Sequence, residues 1–181
     1  MHLIHNIFLV IIFLPVTVFA NGKFAAKAAV VDVESIFEHS AAIAHIKKSI
    51  NVISDQIQGE LSVKEGELKK IEAELIKQRG LLSDKEFENQ VSEFNKKVSA
   101  TQQEVQQKKI ALEQAHAAAI AEVHKNTIAV ISELSKKYEF NIVFPSVQVL
   151  FVTNDLNITL EVISDLNERL KTVEVNYDST Q

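Results

Sequence analysis

Hydrophobic residues recur at heptad spacing through the middle of the chain. Ile43, Ile46, Ile50, Ile53 and Ile57 alternate steps of three and four, the seam of a helix packed lengthwise on a partner. Leu61, Leu68, Ile71, Leu75 and Leu82 continue it after a step of four where three was due. Such a stutter locally unwinds a left-handed supercoil. Lys64 and Gln78 occupy seam positions, so the distal half is more polar. A second seam runs through Phe87, Val91, Phe94, Val98, Thr101, Val105 and Leu112, then Ala119, Val123, Thr127, Val130, Leu134 and Tyr138.

Between the seams, one helix stops and another starts. Gly80 can take the left-handed conformation that closes a helix. Ser83 and Glu86 have the spacing of a capping box, and Leu82 with Phe87 fits the hydrophobic staple. So short a link makes the two helices antiparallel neighbours. The second should run from Asp84 to Tyr138, with no Gly or Pro inside it. An element of that length is a rod or arm and cannot fold into a compact globule. Gly59 and Gly66 lie inside the first arm helix, each costing about 1 kcal/mol relative to Ala. They are either tolerated surface glycines or points of arm flexibility.

Short extended segments flank the hairpin. Ala28 to Val33 reads as a strand, followed by a capping box at Ser35 and Glu38 that starts the first helix. Asn141 to Phe144 and Val147 to Val152 read as two strands around Pro145, and Asn157 to Leu170 as a closing helix. The expected fold class is α+β, mostly α: a small β-rich body with an inserted long antiparallel coiled-coil hairpin. Residues 28–39 and 139–171 form the body. Residues 40–138 form the arm, its tip near residues 80–84, and residues 172–181 form a polar, loose tail.

Ile7 to Val18 is an uncharged apolar run, and Val18-Phe19-Ala20 offers small residues at −3 and −1 of a signal-peptidase site. Residues 1–20 therefore read as a cleaved signal peptide, with a retained anchor or a buried helix as alternatives. The run is short for a membrane span, which wants about 20 residues. The chain is thereby expected in the periplasm. Composition adds mostly exclusions. With no Cys, there is no disulfide, thiol nucleophile or Cys-ligated metal. The net charge of −5 is uneven: residues 35–138 hold 15 Lys or Arg against 15 Asp or Glu, and residues 139–181 hold 2 against 7. No basic stripe for nucleic acid appears.

Chemistry-bearing patterns are scarce. His39, His45, His116 and His124 show no i, i+4 pair, and no Gly-rich phosphate loop or nucleophile elbow occurs. The expectation is a protein that is not an enzyme and takes no cofactor or metal. Near the distal turn, Leu68, Ile71, Leu75, Ile76, Leu81, Leu82, Phe87, Val91 and Phe94 gather more apolar surface than one seam needs, since Ile76 and Leu81 fall off it. Self-packing of the hairpin accounts for part. The remainder could meet a partner, and dispersed apolar contacts on charged arms suit weak, multipoint capture of an unfolded chain.

The order of elements resembles the Skp/OmpH family over roughly residues 28–170. Val30-Val31-Asp32-Val33 with Ser35-Ile36-Phe37 and Ser40 is similar to its opening, and Leu82-Ser83-Asp84-Lys85-Glu86-Phe87 to its arm-tip turn. Phe94 to Leu112 resembles its second arm helix. Tyr138 to Phe144, Val149-Leu150-Phe151 and Asn157-Ile158-Thr159 with Val162, Ile163 and Leu166 resemble its closing part. The resemblance implies a jellyfish-like homotrimer that captures unfolded outer-membrane β-barrel proteins without ATP. Val30, Val31, Ile36, Phe37, Ile142, Phe144, Leu150 and Phe151 would build its trimer body. An exported or membrane-anchored coiled-coil adaptor without client-holding activity is the alternative. The best-known members are basic at their arm tips. Here residues 60–100 hold 8 Lys or Arg against 9 Asp or Glu, so lipopolysaccharide or membrane-surface binding is not carried over.

Overall fold

The computed structural model describes residues 26–178. The apolar run and cleavage motif expected within residues 1–20 lie outside these residues. The elements are β1 (Ala28–Val31), α1 (Val33–His39), α2 (Ala41–Gln78), α3 (Asp84–Tyr138), β2 (Ile142–Pro145) and α4 (Thr159–Arg169), with 3-10 turns at Ser146–Gln148 and Asn154–Leu156. Among the described residues no helix is long and apolar enough to cross a membrane.

β1 and β2 pair in parallel, with Ala28 opposite Ile142 and Val31 opposite Pro145. α2 and α3 form the antiparallel hairpin between them. The 55 residues of α3 rise on the order of 80 Å at about 1.5 Å each. Both seams face inward: Ile43, Ile46, Ala119, Val123, Val130 and Leu134 are buried, and Ile50, Ile53, Ile57, Leu61, Phe87, Val91 and Phe94 are half-buried. Tyr138, the last position of the second seam, is exposed instead. The main core sits at the root of the hairpin. There Ile36 of α1 and Val162 and Leu166 of α4 close over Ile46, Val123 and Val130.

Four local expectations change. The first helix is capped by Asp32, whose side chain accepts from the Ser35 amide at 3.0 Å, so Ser35 is not the cap. An Asp three residues ahead competes for the same orphan N–H groups, and α1 then ends after one short run. Ser40 restarts the chain as the cap of α2, its hydroxyl accepting from the Ile43 amide at 3.4 Å. Gly80 is not left-handed. The tip closes through the Leu81 and Leu82 amides donating to the Gln78 carbonyl at 2.9 and 3.2 Å. Glu139, at φ 60°, is instead the left-handed residue that ends α3.

The strand expected over Val147 to Val152 does not form. Pro145 ends β2, a 3-10 turn follows, and Leu150 and Phe151 project fully into solvent. A β-prone segment without a neighbouring strand has no ladder to join. The tail is not loose over residues 172–178 either, because Val173 is buried in the core and Val175 packs against it.

The Ser83 capping box forms in full. The Glu86 amide donates to Ser83 Oγ at 3.4 Å, and the Ser83 amide donates to Glu86 at 3.2 Å. Ser83 also holds the Glu86 carboxyl below its ordinary value by donating its hydroxyl at 2.6 Å.

The break between α1 and α2 is held by one side chain of α4. Asn167 Oδ1 accepts from the Ala41 amide at 2.8 Å, and its Nδ2 donates to the His39 carbonyl at 3.1 Å. Both ends of the joint are thus tied to α4. Asn167→Ala should cost about 0.5–1.5 kcal/mol, the net worth of a hydrogen bond whose groups water can reach. In hydrogen exchange the Ala41 amide should open faster while the arm tip is unchanged; equal protection at Ala41 would show that the joint holds without Asn167.

Candidate functional site

The arm is built as an apolar seam interrupted by one polar layer. About midway, Lys64 and Glu60 of α2 meet Glu104 and Lys108 of α3. Lys108 Nζ donates to Glu60 at 2.8 Å and stands 3.6 Å from Glu104, while Lys64 pairs with Glu104. Lys108 occupies a seam position and is buried along its stem, with its ammonium reaching the carboxylates at the edge. The hydrogen bond from Lys108, with help from Gln56, holds the Glu60 carboxyl below its ordinary value. Lys64 does the same for Glu104. The hydrogen bond to Glu60 in turn raises Lys108. Two cations and two anions cancel here, so the layer adds no net field. A polar layer within an apolar seam disfavours register shifts, because a slipped helix would bury the charges without partners.

Beyond this layer lies the apolar surface of the tip. Leu75 is buried in the seam, 8% exposed. Leu68, Ile71, Leu82, Phe87, Val91 and Phe94 are half-buried between the helices. Ile76 and Leu81 face solvent, 71% and 82% exposed. A groove of about 350 Å³ opens between α2 and α3, lined by Ile71, Leu75 and Phe94 and bordered by Glu74, Glu93 and Lys97. Its floor is apolar and its surroundings carry charges of both signs.

Exposed apolar side chains extend further than the tip. Val52, Val63 and Ile110 are also outward-facing on the arm. Sequence reasoning missed these three, although each falls off the heptad seam, which is the same signal that singles out Ile76 and Leu81.

The residues expected to build the body divide into two groups. Val30, Val31 and Ile36 are buried within the chain's own core, and Phe37 packs on it. They fill the core on which the body is built, Phe37 at its partly exposed edge. Ile142, Phe144, Leu150 and Phe151 stand on the surface, joined by Val147, Leu156 and Leu160. So many exposed large apolar groups on a small body mark a candidate interaction surface.

Among the described residues no group of three or more His, Asp or Glu side chains could hold a metal ion. His39 and His45 are engaged with backbone carbonyls, of Ser35 at 2.9 Å and of Val173 at 3.0 Å.

Known proteins share this architecture. Residues 27–166 match the family model of outer membrane proteins of the OmpH-like kind. The crystal structure of a candidate outer membrane chaperone (OmpH-like) from Caulobacter crescentus superposes with a TM-score of 0.78 at 16% identity, covering 84% of this chain and 90% of that one. Among curated proteins, none matches this chain in sequence.

The polar layer gives a test of what holds the arm. Replacing all four members by apolar groups, Glu60→Leu and Lys64→Leu with Glu104→Leu and Lys108→Met, should leave the hairpin at least as stable, since the attraction within such pairs offsets little more than their desolvation, whereas removing the lysines alone would strand two carboxylates. In the unchanged chain both carboxyls titrate below their ordinary value, so their contribution is present above the unfolded-state value and is lost as pH falls through the folded one. The fourfold-substituted arm should therefore show a denaturant midpoint at least as high and less acid sensitivity. A lower midpoint would mean that the pairs are net stabilising.

Proposed function

The chain belongs to the OmpH-like family of outer membrane proteins, and on that premise we propose that it is an ATP-independent periplasmic holdase. It binds unfolded outer-membrane β-barrel proteins and keeps them soluble on the way to the outer membrane. The observation that carries this reading is the arm surface: Ile76, Leu81, Val52, Val63 and Ile110 stand exposed and scattered among ionised side chains of both signs. Single apolar contacts of this kind are weak, and many together hold an extended chain without a fixed register. Holding requires only contact and release, so no catalytic group or cofactor enters the reading.

In this proposal the chain works as a homotrimer. Ile142, Phe144, Leu150 and Phe151, with Val147 and Leu160, meet their copies, and the segment after Pro145 gains there the strand partner it lacks in one chain. The unformed strand and the exposed apolar body support this, as does the small size of the core at the root. Three arms then enclose the client. Their tips carry nearly balanced charge, so the proposal includes no lipopolysaccharide or anionic-membrane contact.

Two measurements test the proposal. The chain from Asn21 onward should have a solution mass near three chains, and Leu150→Asp with Phe151→Asp should shift it toward one; a stable monomer from the unchanged sequence would refute the trimer. Diluted from urea, a β-barrel protein should stay soluble in its presence. Ile76→Ser with Leu81→Ser should weaken that protection several-fold while leaving the unfolding free energy within about 0.5 kcal/mol, because both side chains are exposed. An intact fold that gives no protection would favour the adaptor reading.

A further inference from the structure

Beyond the polar layer α2 and α3 are held by their shared seam, and that seam is weakly closed. From Leu68 to Val98 its apolar residues are half-buried, with Leu75 the one exception. The groove of about 350 Å³ cuts in between Ile71, Leu75 and Phe94, so the two helices fill the space between them incompletely. At the outer end of the seam, Gln78 leaves its Oε1 buried with no hydrogen-bond partner among the described residues. Parting the helices there returns that oxygen to water, so closure carries a desolvation cost at the tip.

The base of this weak stretch is marked three times. The step from Ile57 to Leu61 breaks the heptad and loosens the supercoil. Gly59 and Gly66 stand on either side of Glu60 and Lys64, and a Cβ added at either would meet nothing within 4 Å. Packing therefore does not require these glycines, and each makes α2 easier to unwind than alanine would. The ion pairs of the layer add little resistance. Glu60, Lys64 and Glu104 are 42%, 40% and 31% exposed, and at that exposure water competes with the pairing.

We propose that the hairpin beyond the layer, residues 65–103, opens as a unit, and that the parted seam is itself a client-binding surface. This rests on the holdase reading and adds the seam to the off-seam residues that carry it. Each helix then presents an apolar stripe that in the closed form accepts one apolar partner, the opposite helix. Its flanks are nearly neutral, with 8 Lys or Arg against 9 Asp or Glu over residues 60–100. The partner that fits is an uncharged, largely apolar stretch of unfolded chain. Strands of an unfolded β-barrel, apolar at every second residue, supply such stretches. Without a client the helices satisfy each other and the stripes stay hidden. A client binds the open form alone and so draws the population toward it.

The chain has no cysteine, so a single disulfide can be placed across the tip. The Lys64–Glu104 and Lys108–Glu60 pairs set an antiparallel register that brings Gln78 close to Val91. Gln78→Cys with Val91→Cys, oxidised, should keep a cysteine-free β-barrel protein soluble on dilution from urea several-fold less well than the same variant reduced. Equal protection by the two forms overturns the proposal. Should the pair not cross-link, Gly59→Ala and Gly66→Ala with Gln78→Leu favour the closed seam without a bond. Amides of residues 65–78 should then exchange about tenfold more slowly, and protection should fall several-fold. Slower exchange with undiminished protection overturns the proposal, and so does exchange that does not change. Failure of the unchanged chain to keep a barrel protein soluble overturns the holdase reading instead, while opening is still read from exchange, so the two fail separately.

Discussion

Two parallel strands cannot be joined by a tight turn. β1 must travel away and return before β2 can lie beside it in the same direction, and here the crossover is the whole hairpin. Everything distinctive about the molecule follows from that pairing. The hairpin's two ends emerge side by side from the sheet, so its helices start in contact. Their first turns then share a core with α1 and α4, and the outer turns are left with only each other. A gradient of burial results: the root seam is sealed on several sides, and the distal seam is half-open.

The gradient also sorts the side chains. Alanines and β-branched residues line the root, where α4 must come close. Phe87 and Phe94 line the tip, where nothing else packs. The polar layer at Glu60, Lys64, Glu104 and Lys108 divides the two regimes. Below it, most apolar groups are consumed by folding, while Val52 and Ile110 stay exposed; above it, Ile76 and Leu81 face solvent.

Much of this was legible in the residues. The spacing of Ile43 to Ile57 and of Phe87 to Leu134 marks both seams, and the capping box at Ser83 and Glu86 places the start of α3, because these signals act within one or two turns of helix. Signals that depend on distant partners were not. Asn167 holds the α1–α2 joint from more than a hundred residues away. Val147 to Val152 carries strand propensity that a single chain cannot satisfy. The candidate surface was half legible. Residues off the seam are exposed at Ile76 and Leu81, but the same rule applied to Val52, Val63 and Ile110 was not followed through. In the tail, Val173 and Val175 are plain in the sequence, yet without knowing which face of the hairpin is bare the segment reads as a polar end.

The joint at Ser40 acts as a fulcrum. α2 extends 38 residues beyond it, about 57 Å at the usual rise. A pivot of about 5° there swings the far end by about 5 Å, the width of one helical turn. Angular play at the Asn167 clamp is therefore magnified along the length of the arm, so a pair of hydrogen bonds at the root sets how narrowly the far end is aimed.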